Sequence, residues 1–231
     1  TGVQQERVRP LRMGVSGAAA TSTACTIGAL VEYNGQYYLL TNAHCTGRAD
    51  VSCELGFTVG NEFLQPAPFD GGVPGRDTVG RVAYASDLTK AEAEYDVALI
   101  LPDATLQVEP VYHGLRLAPV GMRNPQMGEA VVKLGRTTGY TRGVVYGVSG
   151  VVKTYYGACG SVVVRNAWVT TAMIEHGDSG SAVLTEDGEL AGLFFATSRQ
   201  YSFFHPASLL QQLGIKPAAL GPVTFEAQAK V

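Results

Sequence analysis

The sequence predicts an all-β fold, arranged as two six-stranded antiparallel β-barrels with a short C-terminal helix. Short apolar runs recur between Gly, Pro, Asn and Asp residues, at the spacing typical of an all-β protein. The 231 residues are 46% hydrophobic and only 16% charged, so the chain can bury a good core. Residues 101–128 contain four prolines and no clear periodicity, which divides the strands into two groups.

The apolar runs place the individual strands. The first group is predicted over 26–32, 37–41, 51–58, 78–84 and 96–101, and the second over 129–134, 143–152, 161–165, 168–174, 181–185, 190–197 and 201–204. One helix is predicted after them. Pro206 suits its first position, Leu209, Leu210 and Leu213 form an apolar face, and Gly214 suits its C-terminal cap.

The predicted organisation follows from these elements. It consists of an N-terminal extension (1–24), an N-terminal barrel (25–110), an inter-barrel linker (111–128), a C-terminal barrel with the helix (129–216) and a tail (217–231), which we leave unassigned. The formal net charge is −3, with no basic tract, and no apolar run reaches about 18 residues. We therefore expect no binding to nucleic acid or to a membrane, and we expect a monomer.

The most informative segment is 175–181, Glu-His-Gly-Asp-Ser-Gly-Ser, which ends where an apolar run begins. A Gly-Asp-Ser-Gly turn lets the hydroxyl of Ser179 stand clear of the backbone, while nearby amide hydrogens point at one spot. An acyl-transfer nucleophile with an oxyanion hole requires this arrangement. Small residues are common in turns, so the segment alone is weak evidence.

Two further segments supply partners for the serine. The apolar strand 37–41 runs into Asn-Ala-His-Cys, and Asp96 stands at the mouth of the apolar run 97–101. Imidazole suits proton shuttling near neutral pH, although a lone histidine is more often structural. Asp96 alone would be read as a cap or turn residue. A buried carboxylate there would fix the tautomer of His44.

In the chain order His44, Asp96, Ser179, with all three local motifs, the sequence resembles chymotrypsin-fold (trypsin-like) serine proteases. Within that family it is most similar to the bacterial streptogrisin and alpha-lytic type, through the hairpin 25–45, the Gly-Arg-Thr-Thr-Gly turn 135–139 and the segment 202–214. The resemblance implies a serine endopeptidase that works through an acyl-enzyme and needs no cofactor. It also implies the chymotrypsin-like arrangement of the two barrels.

The resemblance assigns supporting roles as well. The backbone N–H groups of Gly177 and Ser179 would form the oxyanion hole. An internal cation would pair with Asp178, and aligning the Thr-Thr-Gly turns places Lys133 there, with Arg136 as the nearby alternative.

The spacing typical of the family assigns the residues that would determine substrate specificity. Met173 falls at the base of the primary pocket, where trypsin has an aspartate, so cleavage after Lys or Arg is not expected. The pocket wall would include Phe195, Ala196 and Thr197, which favours a small or medium apolar residue before the scissile bond. The family usually has a serine at the place of Phe195, where it supports the triad aspartate. His176 and His205 would instead favour an acidic residue before the scissile bond.

The four cysteines have neither C-x-x-C spacing nor a His-rich neighbourhood, which argues against zinc, and no carboxylates cluster for calcium. The family pairs Cys25 with Cys45 beside the catalytic histidine, so we predict that disulfide. Cys53 and Cys159 match no family pair; they are read as buried thiols, although the sequence does not decide between a thiol and a disulfide. A disulfide favours an oxidising compartment, and we expect a secreted or periplasmic protein.

Two other functions are compatible with the same fold. The first is a protease-fold binding protein whose catalysis has lapsed, which the three intact motifs disfavour. The second is a protease that a partner switches on. The sequence does not separate a partner-activated enzyme from a constitutive one.

Overall fold

The computed structural model describes residues 2–218 and the backbone of 223–224. Within them the chain forms one α-helix, α1 (Ala207–Gln212), and nineteen strands. The strands are β1 (Leu11–Met13), β2 (Val15–Ser16), β3 (Ala18–Ala19), β4 (Thr26–Ile27), β5 (Ala29–Tyr33), β6 (Gln36–Thr41), β7 (Glu62–Leu64), β8 (Thr78–Ala85), β9 (Glu92–Ala93), β10 (Ala98–Pro102), β11 (Gln107–Tyr112), β12 (Ala130–Gly135), β13 (Gly139–Tyr155), β14 (Ser161–Thr171), β15 (Ala182–Thr185), β16 (Leu190–Thr197), β17 (Tyr201–Pro206), β18 (Lys216–Pro217) and β19 (Val223–Thr224). Short 3-10 helices span Val3–Gln5, Ala43–Cys45, Pro68–Asp70 and Gly157–Cys159.

The first barrel is a seven-stranded sheet in the order β18-β5-β6-β10-β8-β7-β3. It closes through residues 15–19, because β3 pairs with β7 at one edge while β2 pairs with β4, which leads directly into β5. Residues 15–19 were expected in an N-terminal extension. They join the barrel instead, because Val15, Ala18 and Ala19 are fully buried in its core.

The second barrel has six strands in the order β13-β12-β15-β16-β17-β14, and it is closed by the pairing of β13 with β14. Strand β9 pairs in parallel with β14 as a seventh strand of this sheet. Strand β13 is longer than predicted because its first half pairs with β12 and its second half with β14. The two predicted strands 161–165 and 168–174 form one strand, β14, which passes through Asn166 at a φ of 58°. The two barrels confirm the predicted fold class.

Several predicted boundaries differ from the structure. Residues 51–58 form turns rather than a strand, and only part of their apolar pattern is buried, since Phe57 is fully exposed and Leu55 is buried. The region 101–128 contains β11, which pairs with β1 and β19 in a separate three-stranded sheet, so residues 111–112 belong to a strand. Most of the predicted tail lies outside the described residues, apart from β18, Ala218 and the backbone of β19.

Helix α1 begins one residue later than predicted, with Pro206 as its N-cap. Leu209 and Leu210 are buried, and Gly214 follows the C-cap at a φ of 83°, a conformation that favours glycine. In the part of the chain that the structure describes, no helix has the length and apolarity needed to cross a bilayer.

Candidate active site

His44 is held at the end of a buried strand. Leu39 and Leu40 of β6 are fully buried, and the strand pairs on both sides, with β5 and with β10. The chain then forms the 3-10 helix Ala43–Cys45, and Cys45 is joined by a disulfide to Cys25. The backbone of His44 is therefore fixed on both sides of the residue.

The carboxylate of Asp96 is fully buried and faces the imidazole. Its Oδ2 lies 2.5 Å from Nδ1 of His44 and accepts a hydrogen bond of 2.8 Å from the hydroxyl of Tyr156, and its Oδ1 accepts the backbone N–H of His44 at 3.1 Å. Burial favours the protonated acid, but His44 and the three hydrogen bonds outweigh it, so the pKa of Asp96 is held below its usual range. An ionised Asp96 selects the tautomer with the proton on Nδ1, which leaves Nε2 of His44 free to accept one.

The backbone around Asp96 is fixed by two side chains. Asn42 donates to the Asp96 carbonyl at 2.8 Å, and the Asp96 N–H donates to Nε2 of His205 at 2.9 Å. His205 is fully buried, and its Nδ1 donates to the carbonyl of Asn166 at 2.9 Å. Burial lowers the pKa of His205 to about 4, so this histidine is neutral near pH 7. It holds the backbone of Asp96 and does not face the cleft.

Ser179 shares a cleft of about 580 Å³ with His44. Its carbonyl accepts the backbone N–H of Thr26 at 2.9 Å, which ties the serine turn of the second barrel to a strand of the first. The hydrogen bonds of the described residues include none between Ser179 Oγ and His44 Nε2. In protease-type sites this contact often tightens only when substrate binds.

The turn that carries Ser179 presents two N–H groups. Gly177 and Gly180 have φ of 98° and 91°, so both adopt the left-handed conformation that glycine permits. A Cβ on Gly177 would overlap Oγ1 of Thr137. Among the described residues' hydrogen bonds, the N–H of Gly177 and the N–H of Ser179 have no acceptor. Both are therefore available for a negative oxygen.

The carboxylate of Asp178, beside the nucleophile candidate, is fully buried and anchors the turn 137–138. It accepts the N–H groups of Thr137 and Thr138 at 2.8 and 3.1 Å, the Thr138 hydroxyl at 2.5 Å and the N–H of Glu175 at 3.0 Å. Nζ of Lys133, also fully buried, lies 3.8 Å from it. Burial lowers the pKa of Lys133 to about 8, although the nearby Asp178 and Glu175 carboxylates oppose the decrease.

The alternative cation, Arg136, has a different partner. Its guanidinium bonds both carboxylate oxygens of Asp70, at 2.8 and 2.6 Å, and so links the turn 135–139 to the first barrel. Lys133, not Arg136, is the cation that pairs with Asp178.

Comparison with known proteins identifies the family. The model of the trypsin-like peptidase domain matches residues 25–193, more than half of the chain. The chain belongs to the trypsin-like peptidase family. The comparison with curated proteins gave no significant match.

Solved structures of bacterial proteases are similar to this trypsin-like peptidase. Protease A of Thermobifida fusca has a TM-score of 0.65 and 22% identity, covering 90% of this chain and 100% of that one. The chymotrypsin of Cellulomonas bogoriensis has a TM-score of 0.63 and 24% identity, covering 90% and 99%. An alpha-lytic protease homolog, N4, has a TM-score of 0.61 and 21% identity, covering 89% and 98%. At these identities the likeness shows the fold, which is the predicted bacterial type.

The cleft of this trypsin-like peptidase has an apolar wall. Phe195, Ala196, Thr197 and His176 line it. Val152 and Phe203 also line it, and sequence reasoning missed both.

Met173 was expected at the pocket base, and the structure places it elsewhere. It is 6% exposed and packs in a hydrophobic cluster with Val131, Val145 and Phe194. It is not among the described residues that line the cleft.

The cysteines form two disulfides, so one expectation is corrected. Cys25–Cys45 is the predicted pair. Cys53 and Cys159, read as buried thiols, are joined across 106 residues of sequence. Cys53 is exposed and lies on the loop 51–58, which the bond ties to the turn after β13. No local spacing signals such a pair, because its two halves come from different barrels.

The described residues contain one group with the spacing of metal ligands, formed by Cys25, His44 and Cys45. Both sulfurs belong to a disulfide, and a metal needs the thiolate. The group does not fit a metal ion.

Tyr156 is a further site residue that sequence reasoning missed. Its hydroxyl contacts Asp96, yet it follows another tyrosine in a segment without a motif. The two tyrosines differ in burial, because residues alternate between buried and exposed at the end of β13. Thr154 and Tyr156 are buried, while Tyr155 is exposed. Both tyrosines suit a strand, so composition alone does not distinguish them.

Proposed function

We propose that this trypsin-like peptidase is a serine endopeptidase that uses Ser179, His44 and Asp96. The observation that carries the proposal is the buried, ionised Asp96 bonded to Nδ1 of His44, whose ring shares a cleft with Ser179. This arrangement leaves Nε2 as a base beside a hydroxyl in a glycine turn, which is what an alcohol needs to become a nucleophile.

In the proposed reaction, Oγ of Ser179 forms a bond to the carbonyl carbon of a peptide, and its proton passes to Nε2 of His44. The carbon–nitrogen bond then breaks, and that proton moves to the departing amine. A water molecule then attacks the carbonyl carbon of the acyl-enzyme in the same way, which releases the free acid and restores Ser179. Asp96 stabilises the imidazolium that forms in each half of the reaction.

The negative oxygen of each tetrahedral intermediate would be bound by the N–H groups of Gly177 and Ser179. Removing one donor from such a hole typically costs about 3 kcal/mol. The network of Asp178 supports this role, since it holds the turn of Gly177 to Glu175 within the same turn and to Thr137 of the neighbouring turn. We propose that Lys133 neutralises Asp178 and keeps the hole formed.

We propose that the residue before the scissile bond is small or medium-sized and apolar. Val152, Ala196 and Phe203 give part of the wall an apolar surface, and none of these three can pair with a charged side chain. Asp50, Lys153 and Glu175, which carry both signs of charge, line other parts of the cleft. The acidic alternative rested on two histidines. Only His176 lines the cleft, because His205 is buried beneath Asp96.

We also propose that the protein works in an oxidising compartment, outside the cell or in the periplasm. Two disulfides support this, and Cys53 of the second is exposed to any reductant in the medium.

The test is digestion of a peptide library by wild type, Ser179→Ala and Ser181→Ala, with the products sequenced. Ser181 lies in the same turn, and its buried Oγ has no hydrogen-bond partner among the described residues, so its removal serves as a control. We expect cuts after apolar residues by wild type and Ser181→Ala, and a loss of at least about 10⁴-fold in Ser179→Ala. Equal cleavage by Ser179→Ala would reject the proposal, and no cleavage by folded wild type would favour a lapsed or partner-activated protein.

A further inference from the structure

The buried carboxylate of Asp96 receives hydrogen bonds from both barrels. His44 supplies two of them from the first barrel, and Tyr156 supplies one from the end of β13 in the second. The Tyr156 hydroxyl and Nδ1 of His44 both bond the same oxygen, Oδ2. A second donor on that oxygen fixes the rotation of the carboxyl group and shares its negative charge.

Tyr156 is well placed to hold its partners. Its side chain is only 7% exposed, and its ring lies beside that of His44, with centroids 5.3 Å apart and planes inclined by 36°. Its backbone N–H donates to Gly160 at 2.9 Å, and that turn is tied to the first barrel by the hydrogen bond from Ala158 to Ala49, 2.7 Å, and by the disulfide at Cys159. These ties fix the backbone of Tyr156, and its buried ring is packed beside that of His44.

No other side chain supplies this third hydrogen bond to the carboxylate among the described residues. Phe195, on the cleft wall, has no polar side-chain atom, and its ring stacks on His205 at 4.2 Å. His205 bonds the backbone N–H of Asp96 and not its carboxylate. Burial, together with the Asp96 carboxylate, raises the pKa of Tyr156 well above its usual range, so the phenol remains a donor wherever the site works.

We propose that Tyr156 is a positioning residue, whose hydroxyl orients Asp96 and whose ring limits the tilt of His44. The proposal rests on the function proposed above. When the hydroxyl is removed, Asp96 shares its charge with His44 alone, so the imidazolium is favoured more strongly. The base then needs a higher pH to lose its proton, and the less firmly held pair reacts more slowly.

The test compares Tyr156→Phe with wild type and with Tyr38→Phe. Tyr38 is a buried tyrosine of β6 whose hydroxyl forms a hydrogen bond with Tyr84 away from the cleft, so its variant also loses one phenolic hydroxyl. For Tyr156→Phe we expect kcat to fall about tenfold with KM nearly unchanged, and the acid limb of the kcat/KM profile to move to higher pH. Tyr38→Phe should match wild type. Other titratable groups near the pair are His205, Asp50, Lys153, Glu175 and His176, and all are unchanged in both variants.

A second measurement does not depend on activity. NMR titration of the His44 ring in the folded proteins should give a higher midpoint in Tyr156→Phe than in wild type and Tyr38→Phe. If wild type shows no Ser179-dependent hydrolysis, the proposed function fails, while the titration still tests the role of Tyr156. The inference is overturned if the titration and the pH profile of Tyr156→Phe coincide with those of wild type, or if Tyr38→Phe moves equally.

Discussion

We predict that Lys133 sets an alkaline limit to the turnover of the peptidase, which can be measured without unfolding the protein. Burial lowers its pKa to about 8, from an ordinary value of 10.5. Its ammonium group donates to the Thr138 hydroxyl and to the Gly139 carbonyl, both at 2.6 Å, and lies 3.8 Å from the carboxylate of Asp178. When Lys133 loses its proton, the buried Asp178 loses its nearest positive charge, beside the turn that carries Gly177 and Ser179.

The expected size of the effect follows from the pKa. At pH 9 about one tenth of the molecules keep a charged Lys133, so turnover should be about one tenth of its value near pH 7. The free energy of unfolding should change in the opposite direction. Because the pKa is lower in the folded protein, the unfolded chain binds more protons between about pH 8 and 10.5, and this group makes stability rise with pH.

Two variants complete this test. Lys133→Arg carries a charge that does not titrate below about pH 12, so it should keep its activity at pH 9 if it is accommodated. Lys133→Met should lose about 1–3 kcal/mol of stability, because the Thr138 hydroxyl and the Gly139 carbonyl lose their buried donor. Peptide hydrolysis from pH 6 to 10, with urea unfolding at each pH, measures both quantities. The reasoning would be refuted if the turnover of wild type were unchanged at pH 9. It would also be refuted if Lys133→Arg were active near pH 7 and lost the same share of its turnover at pH 9 as wild type.

Three further predictions concern stability and turnover. The pKa of His205 is about 4 in the folded protein and lower than in the unfolded chain, so the free energy of unfolding should fall by about 3 kcal/mol from pH 6.5 to pH 4. In urea titrations, His205→Gln should not show this loss. Replacing Cys53 and Cys159 by serine should cost about 4–5 kcal/mol in calorimetry, since the bond closes 106 residues, and an unchanged melting temperature would contradict this. Gly177→Ala should reduce turnover at least about 100-fold, because its Cβ would overlap Thr137; full activity would exclude the proposed oxyanion turn.

The sequence alone predicted the features that depend on a local pattern of residues. The apolar runs 37–41 and 190–197 are strands β6 and β16, because each places buried side chains along one stretch of backbone. The segments around His44, Asp96 and Ser179 were recognised by short motifs at strand ends and in a turn. These features are encoded within a few residues of each other.

Contacts between the barrels that lie outside the recognised motifs were not predicted. The bond between Cys53 and Cys159 and the contact of Tyr156 with Asp96 join residues from different barrels, which no local spacing brings together. Residues 15–19 were misassigned for a related reason. Their short strands, β2 and β3, are defined by pairing with β4 and β7, and such pairs are visible only once the barrel has closed.

The central claim is that His44 and Asp96 turn Ser179 into a nucleophile, and covalent labelling tests it most directly. Folded protein is treated with a fluorophosphonate and the modified peptide is located by mass spectrometry. The account predicts one adduct, on Ser179, that forms much more slowly in His44→Ala and not at all in Ser179→Ala. A folded wild-type protein that stays unlabelled, or that is labelled equally fast without the imidazole, would contradict it.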